Sequence, residues 1–286
     1  MSKRPPVTVA VSNGETRGPQ RARCWRHGGG IAPLDATGWE IRAIPVCGIG
    51  EVSAADSVAD LVLDALARSG FSLQQGDILV IKHKIVSKAE GRRVRLDSVK
   101  PSAAAKRFAA RNNADARVIE LALREASRVV RKKHVLITET QQGFVCANGG
   151  VDVSNVDGGE SAVLLPVDAD RSAAQIHRRL KRRIGLHVPV IIADSFGRPW
   201  REGLCEAAIG VAGMEAIHDY RGKLDAYGYK MHATQEAVAD ELAGLSGLIC
   251  GKEARVPACI IRGYLYRRGN GRARALVRPA ERDLFR

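Results

Sequence analysis

Short apolar runs of strand length alternate with helical periods along most of this chain, and no other feature limits its fold so tightly. W-E-I-R-A-I-P-V over Trp39–Val46 alternates like a half-buried strand. Val58, Leu61, Val62, Ala65 and Leu66 then recur at helical spacing within Ala54–Ser69, and Gly70 supplies a stop. Ile78–Ile81 reads as a buried strand, and a largely helical stretch is expected from Ser102 to Lys133, broken at Asn112-Asn113. Strands are expected at His134–Thr138, Ala162–Leu165, Val188–Ala193 and Val256–Ile261. Helices are expected at Ala173–Ile184 and Thr234–Ile249, the second capped by Thr234. Strands and helices that interleave in this way give a mixed α/β, or α+β, class. The longest apolar runs reach only about six to eight residues, well short of a membrane span.

Residues 1–40 mix Pro5, Pro6 and Gly28-Gly29-Gly30 with scattered Arg and hold no sustained period, so they read as a flexible basic N-terminal tail. Residues 41–286 form the folded domain. The net charge is +14, of which +3 falls in residues 1–40 and +6 in residues 261–286. A third basic run, Arg178, Arg179, Lys181, Arg182 and Arg183, lies on a helical pattern. Such runs are either solvated faces or surfaces that attract polyanions. Aromatics make up only 5% of the residues, which argues against a base-stacking platform for nucleic acid. The six cysteines form no C-x-x-C pair, and the N-terminus has no apolar signal core. Reduced thiols in a cytoplasmic protein are the simplest expectation.

Familiar nucleotide and hydrolase motifs are missing. Gly247–Lys252 has one residue too few for a P-loop, and Glu253 stands where Ser or Thr belongs. Gly48-Ile49-Gly50 does not complete G-x-G-x-x-G, and neither G-x-S-x-G nor H-E-x-x-H occurs. Two aspartates stand out instead. Asp152 follows G-F-V-C-A-N-G-G-V, and Asp194 ends V-P-V-I-I-A. Each is a carboxylate where an apolar strand gives way to a glycine-containing loop. Each either caps a turn or, converging with the other, holds Mg²⁺ or Mn²⁺ through oxygen. Ser195 adds a hydroxyl, and Arg198 and Arg201 add cations suited to phosphate or carboxylate oxygens. Lys88 follows a strand as a possible point charge for a phosphate, and His218-Asp219 is a candidate acid/base pair.

Taken in order, V-S-K-A-E-G-R, G-F-V-C-A-N-G-G-V-D-V-S-N-V, D-S-F-G-R-P-W-R-E-G, A-I-G-V-A-G, D-Y-R-G-K-L-D-A-Y-G and V-P-A-C-I-I-R-G resemble the F420:γ-glutamyl ligase family over residues 41 to 286. The resemblance implies a two-part α+β fold without a P-loop, in an intertwined homodimer, here in its stand-alone form. It implies a cytoplasmic, GTP-dependent enzyme that joins L-glutamate to the F420-0 precursor through an acyl phosphate, with two Mg²⁺ or Mn²⁺ per subunit and K⁺. Asp152 and Asp194 match the metal carboxylates, and Ser195 matches a hydroxyl ligand, usually Thr. Ile49, Gly50, Glu51 and Val52 fall on the first GTP segment, and His83-Lys84 on the second, which is Ser-Thr in some members. Lys88 matches a phosphate-side lysine, and Asn155 a GTP contact. Cys250, Gly251, Lys252, Glu253, Ala254, Arg255 and Val256 fall on the last GTP segment. Some members carry a metal-binding Glu or Gln directly after that glycine. Here Lys252 stands there, a cation that cannot ligate a metal, so either Glu253 one place on takes the ligand role or the second metal loses that ligand. A metal-dependent phosphohydrolase using the same aspartates and a basic nucleic-acid binder are the competing readings; no nucleic acid or membrane partner is expected.

Overall fold

The computed structural model describes residues 7–10, 40–154 and 156–283. In chain order the elements are β1 (Val7–Ala10), β2 (Glu40–Pro45), α1 (Val58–Arg68), β3 (Ile78–Lys82), α2 (His83–Ala89), β4 (Arg93–Arg95), α3 (Ala103–Asn112) and α4 (Ala116–Glu125). There follow β5 (Ala126–Lys132), β6 (Leu136–Thr140), β7 (Val145–Ala147), β8 (Ser161–Val163), α5 (Ala169–Ile184), β9 (Val190–Arg198) and β10 (Arg201–Ala212). The last are β11 (His218–Asp219), β12 (Gln235–Glu236), α6 (Val238–Cys250) and β13 (Ala258–Arg262). The class is mixed α+β, as the interleaved pattern requires.

Six strands form the main sheet in the order β1-β2-β13-β3-β9-β10. All neighbours are antiparallel except β3 and β9, which run parallel. The central strands are apolar without alternation because helices cover both faces. Ile78, Leu79, Ile81, Ile191, Ile192, Ile260 and Ile261 are fully buried there and carry the larger core. A second core packs α3 and α4 against β4, β6 and β8 through Leu96, Ile119, Leu121, Leu136 and Leu164. The helices start at residues that favour it: Ser57, Ser102, Asp115 and Asp168 each cap an N-terminus with a side-chain oxygen. Among the described residues no helix is long and apolar enough to cross a membrane.

Several boundaries differ from expectation. The helical stretch expected to reach Lys133 ends at Glu125, and Ala126–Lys132 is β5, an exposed ribbon strand paired with β6. Thr234 does not cap α6, which begins at Val238 after a short ribbon pairing of β11 with β12. Asp194 does not end its strand, because β9 continues through it to Arg198 and turns into β10. The tail expected over residues 1–40 lies outside the described residues, apart from Glu40 and from Val7–Ala10, which pair with Glu40–Ala43 at the sheet edge.

Candidate active site

The topology itself gathers the polar segments. β2 and β3 both run antiparallel to β13, so the exits of β2 and β3 and the entry of β13 share one end of the sheet. Residues 46–57, His83-Lys84 and residues 251–257 therefore meet there, although they are far apart in the chain. β9 runs parallel to β3 with Lys82 opposite Ala193, and it continues where β3 gives way to α2. Asp194 and Ser195 thus stand just past the end of β3, the position where open α/β sheets place their ligands.

One cluster forms on the α2 side. His83 Nε2 lies 3.3 Å from Asp194 Oδ1, and its Nδ1 lies 3.3 Å from Ser87 Oγ. The next residue, Lys84, places Nζ 2.8 Å from Asp152 Oδ2 and donates to the Ser154 carbonyl and hydroxyl. Consecutive residues of one helix therefore stand against the two aspartates: Lys84 is ion-paired with Asp152, and the buried His83 Nε2 approaches Asp194 without a hydrogen bond. Asp152 reaches this place from a bridge to Val163, and its Oδ1 accepts from the Ser154 N–H. Burial raises the Asp152 pKa, but the Lys84 ammonium and Ser154 outweigh it and hold the carboxyl below its ordinary range. Lys88, one turn further on, pairs with Glu51 at 2.6 Å and ties α2 to the segment of Ile49–Val52.

A second cluster lies toward α6. Successive side chains of a strand point to opposite faces, so Ser195 faces away from Asp194. The Ser195 hydroxyl donates to Glu206 Oε1 at 2.6 Å, directly across the β9–β10 pair. Lys82 Nζ lies 2.6 Å from the same oxygen, and Lys252 contacts both Ser195 Oγ and Glu206. The Glu206 side chain is only 7% exposed, and its Oε2 has no hydrogen-bond partner among the described residues. It fits because Gly247 of α6 has no side chain: a Cβ there would meet Glu206 Cγ at 2.6 Å. Burial pushes the Glu206 carboxyl up, while Lys82 and Ser195 pull it back below its usual range.

Sequence reading finds Asp152, Asp194, Ser195, His83, Lys84 and Lys88, and the structure brings all six to one end of the sheet. It misses Lys82 and Glu206. Glu206 is the last charge before the apolar run A-A-I-G-V-A, the counterpart of the signal used for Asp194. Lys252, not Glu253, touches Ser195; Glu253 is exposed and makes no hydrogen bond or ion pair among the described residues. Asn155 lies outside the described residues. His218 and Asp219 do not pair: Asp219 turns to Arg221, and the His218 ring stacks on Tyr220 at 4.0 Å. Arg198 and Arg201 are exposed at the β9–β10 turn. The basic helix α5 is partly neutralised, with Arg179 and Arg183 both held by Asp60 of α1.

The carboxylate oxygens of Asp152 and Asp194 are of the kind that suits Mg²⁺ or Mn²⁺, whereas the Ser195 hydroxyl is turned to Glu206, and among the described residues no three His, Cys, Asp or Glu side chains gather as a metal-binding group. The buried thiols are poor nucleophiles: burial pushes Cys146 and Cys259 up to about 12 and Cys250 up to about 11.

Comparison with known proteins supplies the rest. A family model described as F420-0:Gamma-glutamyl ligase matches residues 48–263. The chain is 45% identical over 250 residues to the coenzyme F420:L-glutamate ligase of Methanothermobacter thermautotrophicus, covering 86% of this chain and 99% of that one. It is 42% identical over 252 residues to the enzyme of that name from Methanopyrus kandleri, covering 86% and 98%. The Methanocaldococcus jannaschii enzyme of that name shares 41% over 218 residues, covering 76% and 87%. These likenesses define an enzyme of the ligase class. The chain belongs to the F420-0:gamma-glutamyl ligase family.

Proposed function

We propose that the protein joins L-glutamate to the carboxylate of the F420-0 precursor, using GTP, in coenzyme F420 biosynthesis. A second, γ-linked glutamate addition belongs to the same proposal, as do a two-part intertwined homodimer, a K⁺ requirement and a cytoplasmic location. The observation that carries the reading is the convergence of Asp152 and Asp194 on consecutive residues of α2, in a chain of this family.

A carboxylate is a poor electrophile, because its oxygen is a poor leaving group. In the proposed reaction a substrate carboxylate oxygen attacks the γ-phosphorus of GTP, GDP departs, and an acyl phosphate remains. The glutamate amine then attacks the acyl carbon, phosphate leaves, and the amine sheds a proton. Such transfers depend on positioning and charge neutralisation more than on covalent help from the protein. Asp152 and Asp194 are the residues that would hold a divalent cation, which offsets triphosphate charge when bound. Lys84 keeps the Asp152 carboxylate oriented, and the His83 ring stands against Asp194. Lys88 holds Glu51 and, with it, the loop of Ile49–Val52 against the site. Residues 250–256, at the end of α6, close the nucleotide side. Arg198 and Arg201 present exposed positive charge to an anionic precursor.

The test is incubation of the protein with GTP, Mn²⁺, L-glutamate and F420-0. GDP release that depends on glutamate, with a product heavier by one glutamyl unit, supports the ligase. GDP release indifferent to glutamate marks a phosphohydrolase and overturns the proposal.

A further inference from the structure

The two clusters differ in charge. On the α2 side two carboxylates, Asp152 and Asp194, face one ammonium, Lys84, and one imidazole, His83. On the α6 side a single carboxylate, Glu206, faces two ammonium groups, Lys82 and Lys252. The first has negative charge left to offset; the second is positive before any ion arrives. Adding a dication beside two ammonium groups is repulsive at these distances, and partial burial strengthens the repulsion.

The Lys252 ammonium is already seated where a cation would be coordinated. It contacts the Ser195 hydroxyl and lies 3.3 Å from Glu206 Oε1, the two oxygens on that face of the strand pair. Its position follows from the chain. Gly251 ends α6 at φ 56° and ψ −163°, a conformation open almost only to glycine, and this turn leads directly into Lys252. Glu206 in turn is held from below by Lys82 and admitted by Gly247.

We propose that Lys252 is a tethered cation that takes the place of a divalent ion beside Ser195, so that each chain binds one divalent ion rather than two. The inference rests on the proposed ligase reading, in which the remaining ion belongs to Asp152 and Asp194. Lys252 supplies fixed positive charge to an anionic phosphate oxygen approaching Ser195, and Glu206 keeps the ammonium in place.

The experiment is a count of Mn²⁺ bound to the nucleotide-free full chain, by titration with electron paramagnetic resonance detection of the free ion. The wild type is expected to bind one Mn²⁺ per chain, and Asp152→Asn to lose it. Lys252→Gln frees Ser195 and Glu206 and is expected to raise the count from one toward two. Lys252→Arg keeps the charge and is expected to stay at one. Lys252 is largely exposed, and circular dichroism checks that its variants keep the fold. Two ions in the wild type, with glutamate-dependent turnover intact, overturn the tethered cation and leave the ligase standing. One ion in both the wild type and Lys252→Gln overturns it as well. No bound Mn²⁺ in the wild type, together with no glutamylated product, takes down both readings.

Discussion

Replacing Gly247 with alanine separates two effects of opposite sign. Gly247 lies inside α6 with helical backbone, where Gly→Ala ordinarily stabilises by about 1 kcal/mol. Here the added methyl would meet Glu206 Cγ at 2.6 Å, so the carboxylate must retreat by about 0.8 Å to reach an ordinary contact. Glu206 cannot retreat without loosening its 2.6 Å hydrogen bond from Ser195 and its 2.6 Å ion pair with Lys82. A charge-assisted hydrogen bond of this kind contributes roughly 1.5–3 kcal/mol. The steric term therefore outweighs the helix term, and Gly247→Ala is expected to destabilise by about 0.5–2 kcal/mol. In a Glu206→Ala background only the Glu206 Cβ position remains, 3.6 Å away, and the clash is gone. There the same substitution is expected to stabilise by about 0.5–1 kcal/mol. Equilibrium guanidinium unfolding of the four proteins gives the comparison as shifts in midpoint at constant slope. A Gly247→Ala chain that is more stable than wild type, by the same amount in both backgrounds, would show that Glu206 is not held in place.

Asp152→Asn and Asp194→Asn are each expected to abolish glutamate addition while leaving the circular dichroism spectrum unchanged; turnover retained in both would refute the metal-carboxylate assignment. At pH 8, iodoacetamide is expected to label exposed Cys47 and Cys205 and to spare Cys146, Cys250 and Cys259, as read by peptide mass spectrometry. Asp152 has a folded-state pKa below its unfolded value, so its stabilisation is complete above the ordinary aspartate range and drains away as the pH falls through and below about 4. Unfolding of Lys84→Met between pH 6 and pH 3 is therefore expected to show a shallower acid loss than wild type, and parallel curves would contradict the Lys84 clamp.

Burial decides which parts of this fold can be read from sequence. β3 and β9 announce themselves as continuous apolar runs, since helices cover both faces of the sheet. α1 shows its stripe because one face packs and the other is wet. β5 is misread as helix because A-S-R-V-V-R-K is exposed along nearly its whole length, which leaves no alternation to betray a strand. The outer half of β10, Arg201–Cys205, is hidden for the same reason. At the site, the aspartates are legible because each follows an apolar run. Lys82 and Glu206 gain meaning only from each other and from Ser195, across elements that sequence spacing does not join. Glu253 over Lys252 is a choice made on chemical type alone. The turn at Gly251 decides which side chain arrives.

β13 is the final strand in chain order, yet it lies between β2 and β3 in the sheet. The three segments that meet at the sheet's end are therefore joined through the sheet itself only when β13 slots into the middle. Before that, β3, β9 and β10 can pair and set Asp194, Ser195 and Glu206 in register, but β2 has no neighbouring strand between it and β3. Insertion of so late a strand is a slow, non-local event. Catalytic competence should thus switch on abruptly at the close of folding, which makes activity in this protein a reporter of the completed sheet.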